Sequence, residues 1–332
     1  MIKKLSIKNF KSIKELEIDC KRVNLFIGEP NVGKSNILEA LGLISWSNYG
    51  PGLKEYVRFQ GIQNLFYDDL IEQPVEIVVE NSNGIRIDVE IKLASIGFQF
   101  GVTTFEGGKQ IKGQFTCTPD YSKSLQSFPY LSEFSFIKFY KFAKQDKFPD
   151  SNPSFIRPPY GSNMFAVIWG NKNLRETTAR FFKDFGFKPV FKPQEQTFEI
   201  QKQIEDMVVS YPYVLISDTL QRMIFYEIAM ESNKDSTLIF EEPEAHTFPY
   251  YTKYLGERIG FDETNQYFIA THNPYLLLSI LEKAKKDSVN VFITYFKDYQ
   301  TKVKCLSSDE VSELMNYDPF ANLNSFIEEK EQ

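Results

Sequence analysis

Histidine and cysteine are scarce in this chain, and long apolar runs are missing altogether. Its 332 residues hold 2 histidines and 3 cysteines. Cys20, Cys117 and Cys305 are far apart and odd in number, which excludes a disulfide framework and the close pairs of a metal knuckle. That usage fits a reducing compartment, and a cytoplasmic location is expected. No stretch reaches the roughly 18 uninterrupted apolar residues of a membrane span, so no membrane partner is expected. Lys3, Lys4, Lys8 and Lys11 are scattered through the apolar positions of the N-terminus and do not precede an apolar block as in a secretory leader. Positive charge is not in excess: with a formal net charge of −6 the chain has no global attraction to a polyanion, so any DNA contact must come from a local patch. What is present is 42% hydrophobic residues, enough for one substantial α/β core and a smaller lobe.

Along the chain, Lys4-Leu5-Ser6-Ile7-Lys8 and Glu15-Leu16-Glu17-Ile18-Asp19 alternate apolar and charged residues with the period of two that marks a hairpin. Val23-Asn24-Leu25-Phe26-Ile27 is a mostly apolar run ending at Gly28, the pattern of a buried strand. From Gly33 to Trp46, Ile37, Leu38, Leu41 and Ile44 recur at helical spacing. Residues 75–118 read as an antiparallel meander, with turns at Asn81-Ser82-Asn83-Gly84 and Gly107-Gly108. Clustered prolines from Pro149 to Pro159 mark a boundary or an exposed loop, and a helix capped by Asn173 and stopped at Gly186 is expected after it. Gln201 to Met230 is expected to be largely helical, interrupted near Tyr211-Pro212-Tyr213. Three apolar strands follow, at Thr237–Phe240, Gln266–Ala270 and Val289–Tyr295, and the acidic tail Glu328–Gln332 is expected to fray.

Three segments carry chemistry. The run Gly28-Glu29-Pro30-Asn31-Val32-Gly33-Lys34-Ser35 fits the phosphate-loop pattern in its strand-to-helix context. Its glycines let backbone N–H groups face phosphates, Lys34 supplies a point charge and Ser35 a hydroxyl for Mg²⁺. Gly28, Glu29, Asn31, Val32, Gly33, Lys34, Ser35 and Asn36 are the expected contacts to ATP. The second, Leu238-Ile239-Phe240-Glu241-Glu242-Pro243-Glu244, delivers paired carboxylates at the C-terminal end of a strand, where open α/β sheets bind ligands. One carboxylate is expected to hold hydrated Mg²⁺ and the next to orient the attacking water. The third, Ile269-Ala270-Thr271-His272-Asn273-Pro274, ends another strand on a histidine whose neutral imidazole suits a γ-phosphate contact. His246 is open between a dimer contact and simple packing.

Together these segments resemble the ABC-class ATPases of the RecF and SMC type, and most closely the OLD-like AAA ATPases of bacterial defence systems. The opening Ile2-Lys3-Lys4-Leu5-Ser6-Ile7-Lys8-Asn9-Phe10-Lys11-Ser12-Ile13 looks like the start of that family, Gly28 to Leu41 like its Walker A motif and following helix, Glu241-Glu242-Pro243-Glu244-Ala245-His246 like its Walker B motif and D-loop, and Thr271-His272-Asn273-Pro274 like its switch histidine. The resemblance implies an α/β P-loop NTPase of the ABC-ATPase type, with a mixed sheet and an inserted antiparallel meander and helical lobe. The implied division is an N-terminal core half at 1–70, the insertion at 71–200 and a C-terminal core half at 201–332. It implies Glu241 as the metal-side acid beside Ser35, Glu242 as general base, and catalytic parts for Lys34 and His272. It also implies a homodimer closed around ATP, in which Ser217 of one copy reaches the phosphate held by the other.

The sequence departs from the family at several points. Ile216-Ser217-Asp218-Thr219-Leu220-Gln221-Arg222 stands where a glycine-bearing signature loop belongs, with Asp218 adding negative charge near a phosphate. Phe248 replaces a second histidine, and the glutamine loop is open between Gln60 and Gln145. The residues after His272 offer no nuclease constellation, so a nuclease or toxin effector is expected as a separate polypeptide. A RecF-type DNA-maintenance role, with Lys3, Lys4, Lys8, Lys11 and Lys14 as the DNA patch, is the alternative. A nucleotide-responsive scaffold with little turnover is a third reading.

Overall fold

The computed structural model describes residues 1–50, 52–94, 98–107, 109–116, 135–316, 319–320 and 323–327. Cys117, Gly108 of the expected second meander turn and the acidic tail 328–332 lie outside the described residues. The chain opens with β1 (Ile2–Phe10), β2 (Ile13–Asp19) and β3 (Val23–Ile27), then α1 (Lys34–Tyr49) and the strands β4 (Val75–Asn81), β5 (Arg86–Leu93), β6 (Phe98–Glu106), β7 (Lys109–Thr116) and β8 (Ile137–Tyr140). There follow α2 (Met164–Gly170), α3 (Lys172–Lys183), β9 (Lys188–Lys192), β10 (Thr197–Ile204), β11 (Met207–Pro212) and α4 (Asp218–Glu231). The last third holds β12 (Thr237–Glu241), α5 (Pro249–Phe261), β13 (Gln266–Ala270), α6 (Pro274–Lys283), β14 (Val289–Lys297), β15 (Gln300–Cys305), α7 (Ser308–Asn316) and α8 (Leu323–Ile327).

Two six-stranded sheets face each other across α1. One is antiparallel in the order β2-β1-β4-β5-β6-β7; the other runs β15-β14-β3-β13-β12-β8, parallel except for β15. Leu5 and Ile7 of β1, Ile37 and Leu41 of α1, and Phe26, Phe268 and Phe292 of the parallel sheet share one core. Because α1 is covered on both sides, it is buried nearly all round and shows no single apolar stripe. Successive strand residues point to opposite faces, so Leu25, Ile269 and Val291 belong instead to the second core, under α4, α5 and α6. That two-sided burial explains why β3 and β13 read as continuous apolar runs.

The expected boundary at residue 70 separates two strands, β1 and β4, that pair directly, and residue 200 falls inside β10. The meander therefore extends the N-terminal hairpin into one sheet, and β8 returns from the inserted stretch to the edge of the parallel sheet. Residues 201–212 correct the expected helix: they form the hairpin β10–β11 of a third, three-stranded sheet, and helix begins only at Asp218. Gln201-Lys202-Gln203 are good helix formers, but the packing of Phe198 and Ile200 fixes the strand that they continue. Asn171, not Asn173, caps α3, its side chain accepting the N–H groups of Asn173 and Leu174. The helix ends by Gly186 (φ +69°), where the Phe187 N–H returns to the Phe182 carbonyl. The proline cluster is no exposed loop throughout, since Ile156 is buried within it and its carbonyl accepts the Tyr140 hydroxyl at 2.7 Å.

Candidate nucleotide site

The site is built at the C-terminal ends of β3, β13 and β12, three neighbouring parallel strands. Buried β3 delivers the loop 28–33, which turns into α1 at Lys34. Two positions in that loop require glycine. Gly33 has φ +98°, and a Cβ there would lie 2.0 Å from Thr301 Oγ1 and 2.8 Å from Ser12 Oγ. At Gly28 (φ +149°) a Cβ would lie 2.2 Å from the Thr294 carbonyl oxygen. The loop is also held from outside. Ser12 Oγ and Thr301 Oγ1 are 2.6 Å apart, Thr301 Oγ1 donates to the Val32 carbonyl at 2.9 Å, and Asn36 Nδ2 donates to Ser12 Oγ at 2.6 Å. The β1–β2 turn and the start of β15 thus clasp the cradle.

Lys34 Nζ donates to the carbonyls of Gly28 at 2.8 Å and Glu29 at 2.6 Å. Burial pushes its pKa down to about 8, against the opposing charges of Glu242 and Glu29. Ser35 is half-buried and Glu29 and Asn31 are exposed, Asn31 with a left-handed φ of +62°. Val32 is buried.

Across from the loop, β12 ends on Glu241, whose Oε1 accepts from Arg58 Nη2 at 3.1 Å. The next residue, Glu242, has φ +43° and donates its N–H to the Ala270 carbonyl at 2.9 Å. That geometry turns its side chain to within 3.3 Å of His272 Nε2. Burial holds His272 below its ordinary pKa, with the Lys34 charge adding to the effect and Glu242 opposing it, so the imidazole is neutral at pH 7. Lys34, Glu242 and His272 are therefore within electrostatic reach of one another.

Ser217 is not joined to this cluster by a hydrogen bond within one chain. It caps α4, accepting the Leu220 N–H at 3.4 Å, and the Asp218 carboxylate is paired with Lys144 at 2.5 Å. The His246 carbonyl accepts from Thr219 Oγ1 at 3.3 Å, which ties the segment after β12 to the start of α4. Gln145 donates to the Tyr160 carbonyl, and the backbone N–H of Gln60 is held by the Asn64 side chain.

Sequence reasoning missed a chain of ionic contacts behind the site. Glu39, buried in α1, accepts from Lys11 Nζ and from Arg58 Nε at 2.7 Å, and Arg58 goes on to Glu241. A carboxylate inside the apolar run Ile37-Leu38-Glu39-Ala40-Leu41 was the available signal, because a buried charge demands a cation. Glu244 was quoted in a motif but given no role. It is buried, its Oε1 accepts the Thr271 hydroxyl, and its Oε2 makes no hydrogen bond of good geometry, although the backbone N–H groups of Glu244 and His272 lie near enough to favour the charged form. Burial pushes its pKa up to about 7.

Among the described residues no group of three or more His, Cys, Asp or Glu side chains is placed to hold a metal. The donors at hand, the Ser35 hydroxyl and the Glu241 carboxylate, are hard oxygens of the kind that suits Mg²⁺, which takes its remaining ligands from phosphates and water.

The AAA ATPase domain family model matches residues 1–158. Over 364 aligned residues, covering 93% of each chain, the protein is 22% identical to an ATP/GTP phosphatase of Helicobacter pylori. Over 117 residues, 30% of each chain, it is 30% identical to the DNA replication and repair protein RecF of Clostridium kluyveri. Among solved structures, an SMC head bound to the C-terminal winged-helix domain of ScpA superposes with a TM-score of 0.55 at 15% identity, over 94% of this chain and 99% of that one. An SMC head with an extended coiled coil, bound to the C-terminal domain of ScpA derived from Pyrococcus furiosus, gives 0.51 at 14% identity, over 95% and 98%. The chain therefore has the fold of a P-loop NTPase of the ABC-ATPase type, in the arrangement of an SMC head.

Proposed function

We propose that this protein binds and hydrolyses ATP with Mg²⁺, and that ATP closes two copies face to face into a dimer that controls a separately encoded nuclease or toxin. The observation that carries the ATPase reading is the convergence of Lys34, Glu242 and His272 at three adjacent strand ends. Lys34 leaves the Gly28 and Glu29 carbonyls for the phosphates, to which the loop N–H groups also point. Ser35 and Glu241 hold Mg²⁺, which when bound neutralises phosphate charge. Glu241 has to exchange its contact with Arg58 for that task. Glu242 orients and deprotonates the attacking water, and neutral His272 contacts the γ-phosphate.

Two features support the dimer. Ser217 caps the N-terminus of α4, where in a face-to-face pair a helix N-terminus can meet the partner's phosphate. Leu215, Phe248, Tyr250 and Tyr275 are exposed apolar side chains flanking the Ser217, Glu242 and His272 segments, a surface suited to a second copy. The effector role is supported by the motif resemblance to OLD-like ATPases.

A DNA-maintenance role is the second reading, favoured by the RecF segment. Its lysine patch is weakened by pairing: Lys4 meets Glu17 at 2.5 Å, Lys8 meets Glu15 at 3.1 Å, and Lys11 is turned inward to Glu39. Steady-state ATP hydrolysis with and without duplex DNA, against a Lys34→Ala blank and with mass recorded in ATP, tests both readings. Turnover with an ATP-dependent dimer supports the first, and strong DNA stimulation moves the weight to the second. Binding without turnover would leave a nucleotide-responsive scaffold.

A further inference from the structure

The roles above leave Glu244 unused, although it is a buried carboxyl three residues beyond Glu241. Burying a carboxyl with one oxygen unsatisfied opposes folding. Packing alone therefore does not account for it; its contacts do. The Thr271 hydroxyl donates to Glu244 Oε1 and accepts the Asn273 N–H at 3.0 Å. The Asn273 side chain in turn caps α6, accepting the N–H groups of Tyr275 at 2.9 Å and Leu276 at 3.4 Å. His272 sits between these two anchored neighbours. Its own imidazole makes just the long 3.3 Å approach to Glu242, too weak to set its direction. The orientation is thus inherited from the turn 271–273, and the turn is tied to the Glu242 segment through Glu244.

We propose that Glu244 is a positioning residue: through the Thr271 hydroxyl it holds the 271–273 turn so that the His272 imidazole faces Glu242 and the phosphate loop. The kinetic consequence rests on the ATPase reading, whereas the geometric one does not. A carboxyl in either protonation state accepts from Thr271, and so does an amide, which separates this role from general acid–base work.

With 2 histidines in the chain, isotope-labelled histidine resolves His272 directly by NMR, with His272→Gln giving the assignment. Thr271→Val, close in volume, and Glu244→Ala are each expected to shift the His272 resonance and raise its titration midpoint towards that of a free imidazole. The double variant moves it no further than the larger single change. Glu244→Gln and Thr271→Ser restore it. In the same samples kcat falls between about ten- and a hundred-fold for the first two variants, while the KM for ATP stays within about two-fold. An unmoved His272 signal in folded Thr271→Val overturns the proposal. If the wild type turns over no ATP above the Lys34→Ala blank while the His272 shifts follow this pattern, the ATPase reading fails and the positioning role stands.

Discussion

Replacing Glu244 by glutamine is expected to remove a loss of stability that the protein otherwise suffers as pH rises from 5 to 7. The ordinary carboxyl value is 4.5, and burial raises Glu244 to about 7, with the nearby Glu242 charge adding to it. The folded chain therefore keeps a proton that the unfolded chain releases between those values. Stability falls as pH rises through that window, by about 1.4 kcal/mol per unit for this one group, and the loss is complete above pH 7 at about 3 kcal/mol. An amide does not titrate, so its difference from wild type should grow from pH 5 to pH 7 and then level off. The unsatisfied donor that the amide places at the Oε2 position costs about 1–3 kcal/mol at every pH, which moves the whole difference curve but not its slope. Urea unfolding followed by the fluorescence of buried Trp46, in steps from pH 5 to pH 8.5, measures it. Parallel stability curves for the two proteins between pH 5 and pH 7 would refute the reasoning.

Three further outcomes follow from the site. Glu242→Gln should bind ATP with unchanged affinity, lose about 10²–10⁴-fold in kcat and accumulate an ATP-bound dimer, read by turnover and by mass. Gly33→Ala forces a Cβ against Thr301 Oγ1 at φ +98° and should abolish ATP binding in calorimetry while α1 and the sheets remain folded by circular dichroism. Because Lys34 titrates near 8 in the free protein and must be charged to hold phosphate, kcat/KM should decline as pH rises through that value, and a flat profile to pH 9.5 would remove Lys34 from the binding step.

The Gly28–Ser35 run, the pair Glu241-Glu242 and His272 could be picked out as candidates because each lies in a short run of consecutive residues, and the structure brings Lys34, Glu242 and His272 close together. The strands that deliver them were legible for the same reason, as apolar runs or alternations a few residues long. Arg58 was not, since its partner Glu241 is 183 positions away and no local pattern announces the contact. Ser12 and Thr301, 289 positions apart, are ordinary polar residues until the fold brings the β1–β2 turn and the start of β15 to the loop. The hairpin at 197–212 was misread because its tip is exposed and rich in glutamine and lysine, so intrinsic helix preference pointed the wrong way until packing decided. The join of the meander to the N-terminal hairpin likewise depends on β1 pairing with β4, which no strand pattern specifies by itself.

The clasp on the phosphate loop has a consequence for how the protein is made. The Val32 carbonyl is secured by Thr301 and the Asn36 side chain by Ser12, two residues 289 positions apart. During synthesis the loop and α1 leave the ribosome long before β15 exists, so the nascent chain carries the whole motif but not the finished cradle. At about 5–20 residues per second, some tens of seconds separate the two events. A nucleotide site that depends on this clasp is complete only once β15 has been made.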